Sequence, residues 1–216
     1  MANHQPKPQH KKIAFVLGNG VSRLAANLSV LKTHGTIYGC NALYREFEPD
    51  HLIAVDVKMV NEIIDSDYHK THSVWTNKNK GVKTFENINV LNPHKGWSSG
   101  PTALWLSTLH GHNEIYILGF DYQGINGKVN NVYTGTPNYK KEGQPATFFG
   151  NWSSQTERVM NENPQIMFYR VYQEPLFLPT NLREKIENFE NISYRVLESK
   201  FPGCTYVDKI DQKSTI

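Results

Sequence analysis

The stretch Ile13–Leu24, "IAFVLGNGVSRL", joins a short apolar run to a Gly-Asn-Gly turn and then to an amphipathic segment. Ile13 to Leu17 reads as a buried strand, being short, apolar and bounded by glycine. Val21 to Leu31 reads as a helix, with Val21, Leu24, Leu28 and Leu31 at core-facing spacing and Gly35 as its stop. A turn of this composition has two readings. Gly18 and Gly20 let a ligand approach the backbone while the helix N-terminus faces an anion. Equally, Gly and Asn tolerate positive φ and suit an ordinary tight turn. The turn is neither a GxGxxG fingerprint nor a P-loop, since no Gly-Lys-Ser/Thr follows, which disfavours dinucleotide and Walker-type binding.

Outward from this stretch the alternation repeats. "TIYGCN" reads as a second strand ending at Asn41, "HLIAVD" as a third ending at Asp56, and "VKMVNEII" as a helix. Three strand–helix alternations predict an α/β fold with a mostly parallel, Rossmann-like sheet flanked by helices. "HSVWTN" and "NINVL" read as strands joined by a lysine-rich connection. Thr102 to His110 reads as a helix behind Pro101, and "NEIYILGFDY" as a central strand. Residues 123–150 are rich in Gly, Asn, Tyr and Pro and show no period, the mark of an irregular lid or binding loop. A helix (Ser153 to Asn161), a strand ("QIMFYRV"), a short helix (Leu182 to Phe189) and a last strand near "ISYRV" follow. The expected organisation is a frayed N-terminus at 1–11, a nucleotide-binding core at 12–122, the lid at 123–150, and the rest of the same α/β domain at 151–216.

The 216 residues suffice for one substantial core. The net charge of +3 shows no dense basic stripe beyond "KPQHKK", so a nucleic-acid partner is not expected. No apolar run reaches bilayer length, and "MANHQPKPQHKK" lacks the apolar segment of a secretory signal. Cys40 and Cys204 are accordingly expected to stay reduced in the cytoplasm. A homo-oligomer is left open. The histidines are scattered without zinc-ligand spacing, and no GxSxG or Cys-His arrangement supports a covalent nucleophile.

In an open parallel sheet, ligands bind outside the carboxyl ends of the strands. Strand one ends in Gly18-Asn19-Gly20 with Ser22 behind, strand two in Asn41 and strand three in Asp56. "NINVL" leads to Ser98-Ser99-Gly100, and the central strand ends in Asp121 and Tyr122. Each has a bland reading as a cap or turn residue; their convergence predicts a polar rim. The two aspartates suit Mg²⁺, or a ribose or acceptor hydroxyl. In the lid, Tyr133, Tyr139, Lys140 and Lys141 offer phenols and ammoniums to a leaving phosphate, or form a solvated loop.

With these residues assembled, the chain resembles the bacterial CMP-sialic acid-dependent sialyltransferases. The carriers are "VLGNGVS", "YGCNALY", "WSSGPTALWLSTLHGHNEIYILGFDYQ" and "FFGNWS", in order and spacing across most of residues 12 to 171. The resemblance implies a GT-A-like fold and a metal-free transfer of a sugar from a nucleotide-activated, CMP-linked donor to an acceptor hydroxyl. It implies that Asn19 and Gly20 meet the nucleotide phosphate, with Gly18 and Ser22 supporting the turn, and that Asn41 contacts the nucleotide or sugar. Ser98, Ser99 and Gly100 would meet the donor sugar or carboxylate, and Asp121 and Tyr122 the ribose region. The family's catalytic histidine corresponds to Asn151, and an amide cannot act as a general base. Its first lid tyrosine corresponds to Gln123. Asp56 is then the expected replacement base, with Tyr133 and Tyr139 as replacement phenols. Two alternatives remain. One is a Mg²⁺-dependent diphosphokinase similar to the archaeal-type 6-hydroxymethylpterin enzymes, with Asp56 and Asp121 directed at the metal. The other is a catalytically silent nucleotide-binding protein.

Overall fold

Apolar runs too short for a helix and punctuated by glycine leave this chain one economical solution, a sheet covered on both faces. The computed structural model describes residues 12–183 and 186–206. Its strands are β1 (Ile13–Leu17), β2 (Thr36–Cys40), β3 (His51–Ile53), β4 (Val74–Asn77), β5 (Asn89–Leu91), β6 (Glu114–Leu118), β7 (Met167–Tyr172) and β8 (Phe189–Ser193). All pair in parallel, in the order β5-β4-β3-β2-β1-β6-β7-β8. The chain runs outward from β1 to one edge and returns to the other side of β1 at β6. Between β1 and β6 the connections diverge, and a crevice opens there at the carboxyl ends.

The side-chain period of two sorts the core into two layers. Phe15 and Leu17 of β1, with Tyr116 and Leu118 of β6, face α1 (Leu28–His34), α2 (Val57–Asp65) and α5 (Tyr194–Lys200). Ala14, Val16, Ile115 and Ile117 face α3 (Ser99–Leu109) and α4 (Gly150–Asn161). All eight strand residues are buried to 0% exposure. At about 1.5–3 kcal/mol for each large apolar side chain, these layers supply the main driving force for the fold. Cys40 and Cys204 are free and buried in opposite layers.

Three local expectations are corrected. The helix read over Val21–Leu31 is broken. Val21–Ala25 forms a 3-10 turn, Ala26 is extended and bridges to Thr205, and Asn27 caps α1 by accepting from the Val30 amide. Asn is a better cap than interior residue because its side chain competes for backbone groups. The break turns Leu24, read as a core position, outward to 44% exposure. The short helix read at Leu182–Phe189 is also absent: Leu182 closes a 3-10 turn from Thr180, residues 186–188 are non-helical and Phe189 opens β8, while Glu184 and Lys185 lie outside the described residues. Finally, the strand read near "ISYRV" ends at Ser193, whose hydroxyl caps α5. The frayed terminus read at 1–11 lies outside the described residues.

Residues 123–149 carry neither helix nor strand; isolated bridges join Ile125 to Lys128 and Lys128 to Pro145. No helix among the described residues is long and apolar enough to cross a membrane.

Candidate functional site

The turn after β1 and the turn after β6 lie back to back. A Cβ built on Gly18 would come within 2.6 Å of the Gly119 carbonyl oxygen, and one on Gly20 within 2.6 Å of Asp121 Cγ. Neither glycine has positive φ; Gly119 does, at +70°. The pair Gly18 and Gly20 therefore exists for close approach between the two turns, not for a left-handed bend.

That packing occupies the backbone donors of the first turn. Gly18 donates to Leu118 O at 2.8 Å, Gly20 to Gly119 O at 2.9 Å and Arg23 to Gly20 O at 3.1 Å. The Val21 amide donates to Asn130 Oδ1 at 2.9 Å and the Ser22 amide to Asp121 Oδ2 at 3.2 Å. Only the Asn19 amide has no acceptor among the described residues. Asp121 is a staple: it also accepts from the Ser22 hydroxyl, and from Asn130 Nδ2 at 3.0 Å. Ser22 is buried behind it.

The open donors are found at α3. Ser98 precedes the helix with extended backbone and makes no side-chain cap. Its amide donates to Gln155 Oε1 at 3.1 Å, but the Ser99 and Gly100 amides have no acceptor among the described residues. These are the orphan donors of a first helical turn, carrying the positive end of the helix dipole. The Ser99 hydroxyl is a clamp, donating to Asn41 Oδ1 at 2.8 Å and accepting from the Val55 amide at 3.1 Å. It joins the ends of β2 and β3 to α3, with Asn41 held at φ +54°.

These groups line one cavity of about 350 Å³ at the carboxyl ends of the sheet. Gly18, Asn19, Gly20, Asn41, Asp56, Ser98, Ser99, Gly100, Asp121 and Tyr122 all contribute to it; Ser22, Tyr133, Tyr139 and Asn151 do not. Asp56 caps α2 in position only, with no side-chain cap bond; it is exposed, and its carboxylate has no partner among the described residues. None of the lining residues is Lys, Arg or His. Tyr122 presents ring and backbone, because its hydroxyl donates to Thr156 Oγ1 at 2.7 Å. Cys40 also lines the cavity, but burial pushes its thiol up to about 12, so it is not a thiolate nucleophile at neutral pH.

Tyr133 and Tyr139 of the 123–150 segment lie behind the turn rather than in the cavity. Tyr133 donates to Glu46 Oε1 at 2.6 Å and accepts from Arg23 at 3.2 Å. Tyr139 accepts from Asn19 Nδ2 and from the Ala42 amide, both at 3.3 Å, and burial pushes its phenol up to about 12. Asn151 is exposed on the first turn of α4. Lining residues that escaped sequence reading include Trp97, Asn130, Asn131, Phe149 and Trp152. The Asn130-Asn131 doublet in an aperiodic segment and the aromatic pair at i,i+3 spacing were the available signals.

The opposite edge of the sheet gathers three histidines that look scattered in the sequence. Tyr38 Oη lies 2.7 Å from His110 Nδ1 and 2.9 Å from His112 Nε2, and His51 packs on Tyr38 and His110 with ring centroids 4.9 and 4.8 Å away. Burial holds all three imidazoles below their usual range, His51 down to about 4. Among the described residues no group of three His, Cys, Asp or Glu side chains is placed to hold a metal ion.

Set against protein-family models, curated proteins and solved structures, the chain matches none.

Proposed function

We propose that this chain is a transferase for a nucleotide-activated sugar whose nucleotide carries a single phosphate, a CMP-linked donor, with the phosphate seated on the N-terminus of α3. One observation carries the reading. The cavity at the β1–β6 divergence offers the unpaired Ser99 and Gly100 amides and the Ser98 hydroxyl, and no cationic side chain. A helix N-terminus is equivalent to roughly half a positive charge, which suits one phosphodiester. The several charges of a nucleoside di- or triphosphate would face Asp56 without a counter-charge. Asn19, Asn41 and Asn131 are the amides for base and sugar hydroxyls, and Phe149 and Trp152, with ring centroids 5.3 Å apart, are a stacking wall.

In this reading Asp56 takes the proton of the acceptor hydroxyl as its oxygen attacks the anomeric carbon. The bond to phosphate breaks, and the charge on the leaving nucleotide falls on the Ser99 and Gly100 amides. Asn151 has no part. Residues 140–145, exposed and continuous with Tyr139 beneath the Asn19 turn, are the piece of the 123–150 segment suited to act as a lid. Two free, buried cysteines fit a reducing compartment such as the cytoplasm.

A second reading, a nucleotide-binding protein without transfer, is favoured by the Tyr133 and Tyr139 phenols being tied outside the cavity. The diphosphokinase reading is weakened by Asp121, whose carboxylate already accepts from Ser22 and Asn130.

A thermal-shift series with CMP, UDP, GDP and ATP, each with EDTA or Mg²⁺, tests the nucleotide. Stabilisation by CMP in EDTA supports the proposal; stabilisation by ATP only with Mg²⁺ replaces it with the diphosphokinase. Product analysis with CMP-linked sugars then compares wild type with Asp56→Asn. Binding without turnover in wild type selects the silent protein.

A further inference from the structure

On the far side of Asp121, in the crevice between β6 and β7, lies a second cavity of about 120 Å³. Asp121 and Asn130 line both cavities and form the partition between them. The other polar groups include Gln123, Arg170 and Glu174. Arg170, on β7, is only 4% exposed. Its Nε donates to Phe120 O at 2.9 Å, Nη1 to Phe177 O at 2.7 Å and Asn191 Oδ1 at 3.3 Å, and Nη2 to Asp121 O at 3.3 Å. The guanidinium lies 5.1 Å from the centroid of the Tyr122 ring.

Every one of these acceptors is neutral. A guanidinium has five N–H donors, so one lacks an acceptor among the described residues, and no carboxylate among them forms an ion pair with it. A cation buried in this way is ordinarily paired. The two acids that line the cavity do not supply the pair. Asp121 is held by Ser22 and Asn130, and Glu174 is exposed, its charge screened by solvent. Burial holds the Arg170 pKa down, a pull that the fields of Tyr122 and the Asp121 carboxylate only partly offset.

We propose that the smaller cavity is a second ligand site that takes a carboxylate group, paired with Arg170. The space is ample for a small acid such as acetate beside the guanidinium. The Asp121 carboxylate in the wall already sets one negative charge near Arg170 and opposes the second charge of a phosphate dianion, which makes the ligand group a monoanion. The site stands whatever the larger cavity binds; under the transferase reading it is the place for an acidic group of the second substrate.

The test follows the Arg170 Nε–H resonance in ¹⁵N-arginine-labelled protein during titration with sodium acetate, against sodium chloride at equal ionic strength, with inorganic phosphate as a third arm. Acetate is expected to give a saturable shift, chloride none, and phosphate a weaker one. An Arg170 signal that acetate leaves in place overturns the site, and tighter binding of phosphate overturns the carboxylate assignment. Gln123→Glu places a carboxylate on the cavity wall without removing Arg170. It is expected to raise Tm and abolish the acetate response; an unchanged or lower Tm, or a surviving response, contradicts the proposal. CMP stabilisation measured on the same samples separates the two readings. Acetate binding without CMP binding removes the transferase alone, and the reverse removes this site alone.

Discussion

At the N-terminal edge of the sheet, Tyr38 shares its hydroxyl between His110 and His112, with His51 stacked alongside. At the carboxyl edge, the Ser98 hydroxyl, the Ser99 and Gly100 amides and the Asp56 carboxylate face a cavity with no partner among the described residues. The same helix, α3, connects the two: His110 caps its end and Ser98 its beginning. At the first edge Tyr38 and the two imidazoles answer one another, as a structural network does, with His112 Nδ1 left over. The polar groups at the second are held in place by a fully bonded layer beneath them (Asp121, Asn130, the Ser99 hydroxyl) and are themselves left open. Binding chemistry belongs to groups of the second kind.

The sharpest way to break this contrast is to disturb the layer beneath the cavity. Gly20→Ala forces a methyl against the Asp121 side chain and the Gly119 carbonyl; unfolding in urea should show a loss of about 3 kcal/mol. A loss below about 0.5 kcal/mol would mean the two turns are not tightly docked. Asp121→Ala should cost about 2 kcal/mol, because the Ser22 and Asn130 donors lose a charged acceptor. Its effect on ligand affinity should follow from the loosened turns.

The histidine edge makes its own prediction through pH. His51, His110 and His112 are all harder to protonate in the fold than at the usual value of 6.5. The unfolded chain therefore binds more protons in that range, and stability present above pH 6.5 is lost as pH falls, for His51 down to about 4. The phenol satisfies both neighbours when one imidazole donates to its oxygen and the other accepts its proton, an arrangement suited to neutral rings. Tyr38→Phe should lower stability at pH 7 and make the acid-side loss shallower, read from Tm between pH 7 and 4. A parallel shift of the whole curve would show that the hydroxyl does not tune these imidazoles.

The smallest effects belong to the open groups. Asp56→Asn should change stability by less than about 0.5 kcal/mol, since no fold contact is lost, while transfer activity falls. Asn151→Ala should change neither.

Much of this arrangement was legible because its causes are local. Apolar runs of strand length, broken by glycine, announce the parallel sheet, and the rule for its carboxyl ends gathers Asn19, Asn41, Asp56, Ser99 and Asp121 from distant parts of the chain. Roles were less legible than places. Asp121 and the Ser99 hydroxyl line the cavity as read, but they also clamp its walls, a role set by contacts such as Asn130 with Asp121 that have no sequence period. The broken helix at Asn27 and the turned-out Leu24 have a similar origin: a cap and a bridge to Thr205 outweigh a helical pattern. The histidine edge stayed hidden because β2, β3 and the end of α3 meet only through topology.

The proposed transferase seats its phosphate on the open N-terminus of α3, and amide chemical-shift mapping during titration with CMP in EDTA reads that seat directly. The Ser99 and Gly100 amides should move most, with Asn19 next and the Tyr38–His110 edge unmoved. Saturable binding whose largest shifts fall away from α3, or no shift at all, would contradict it.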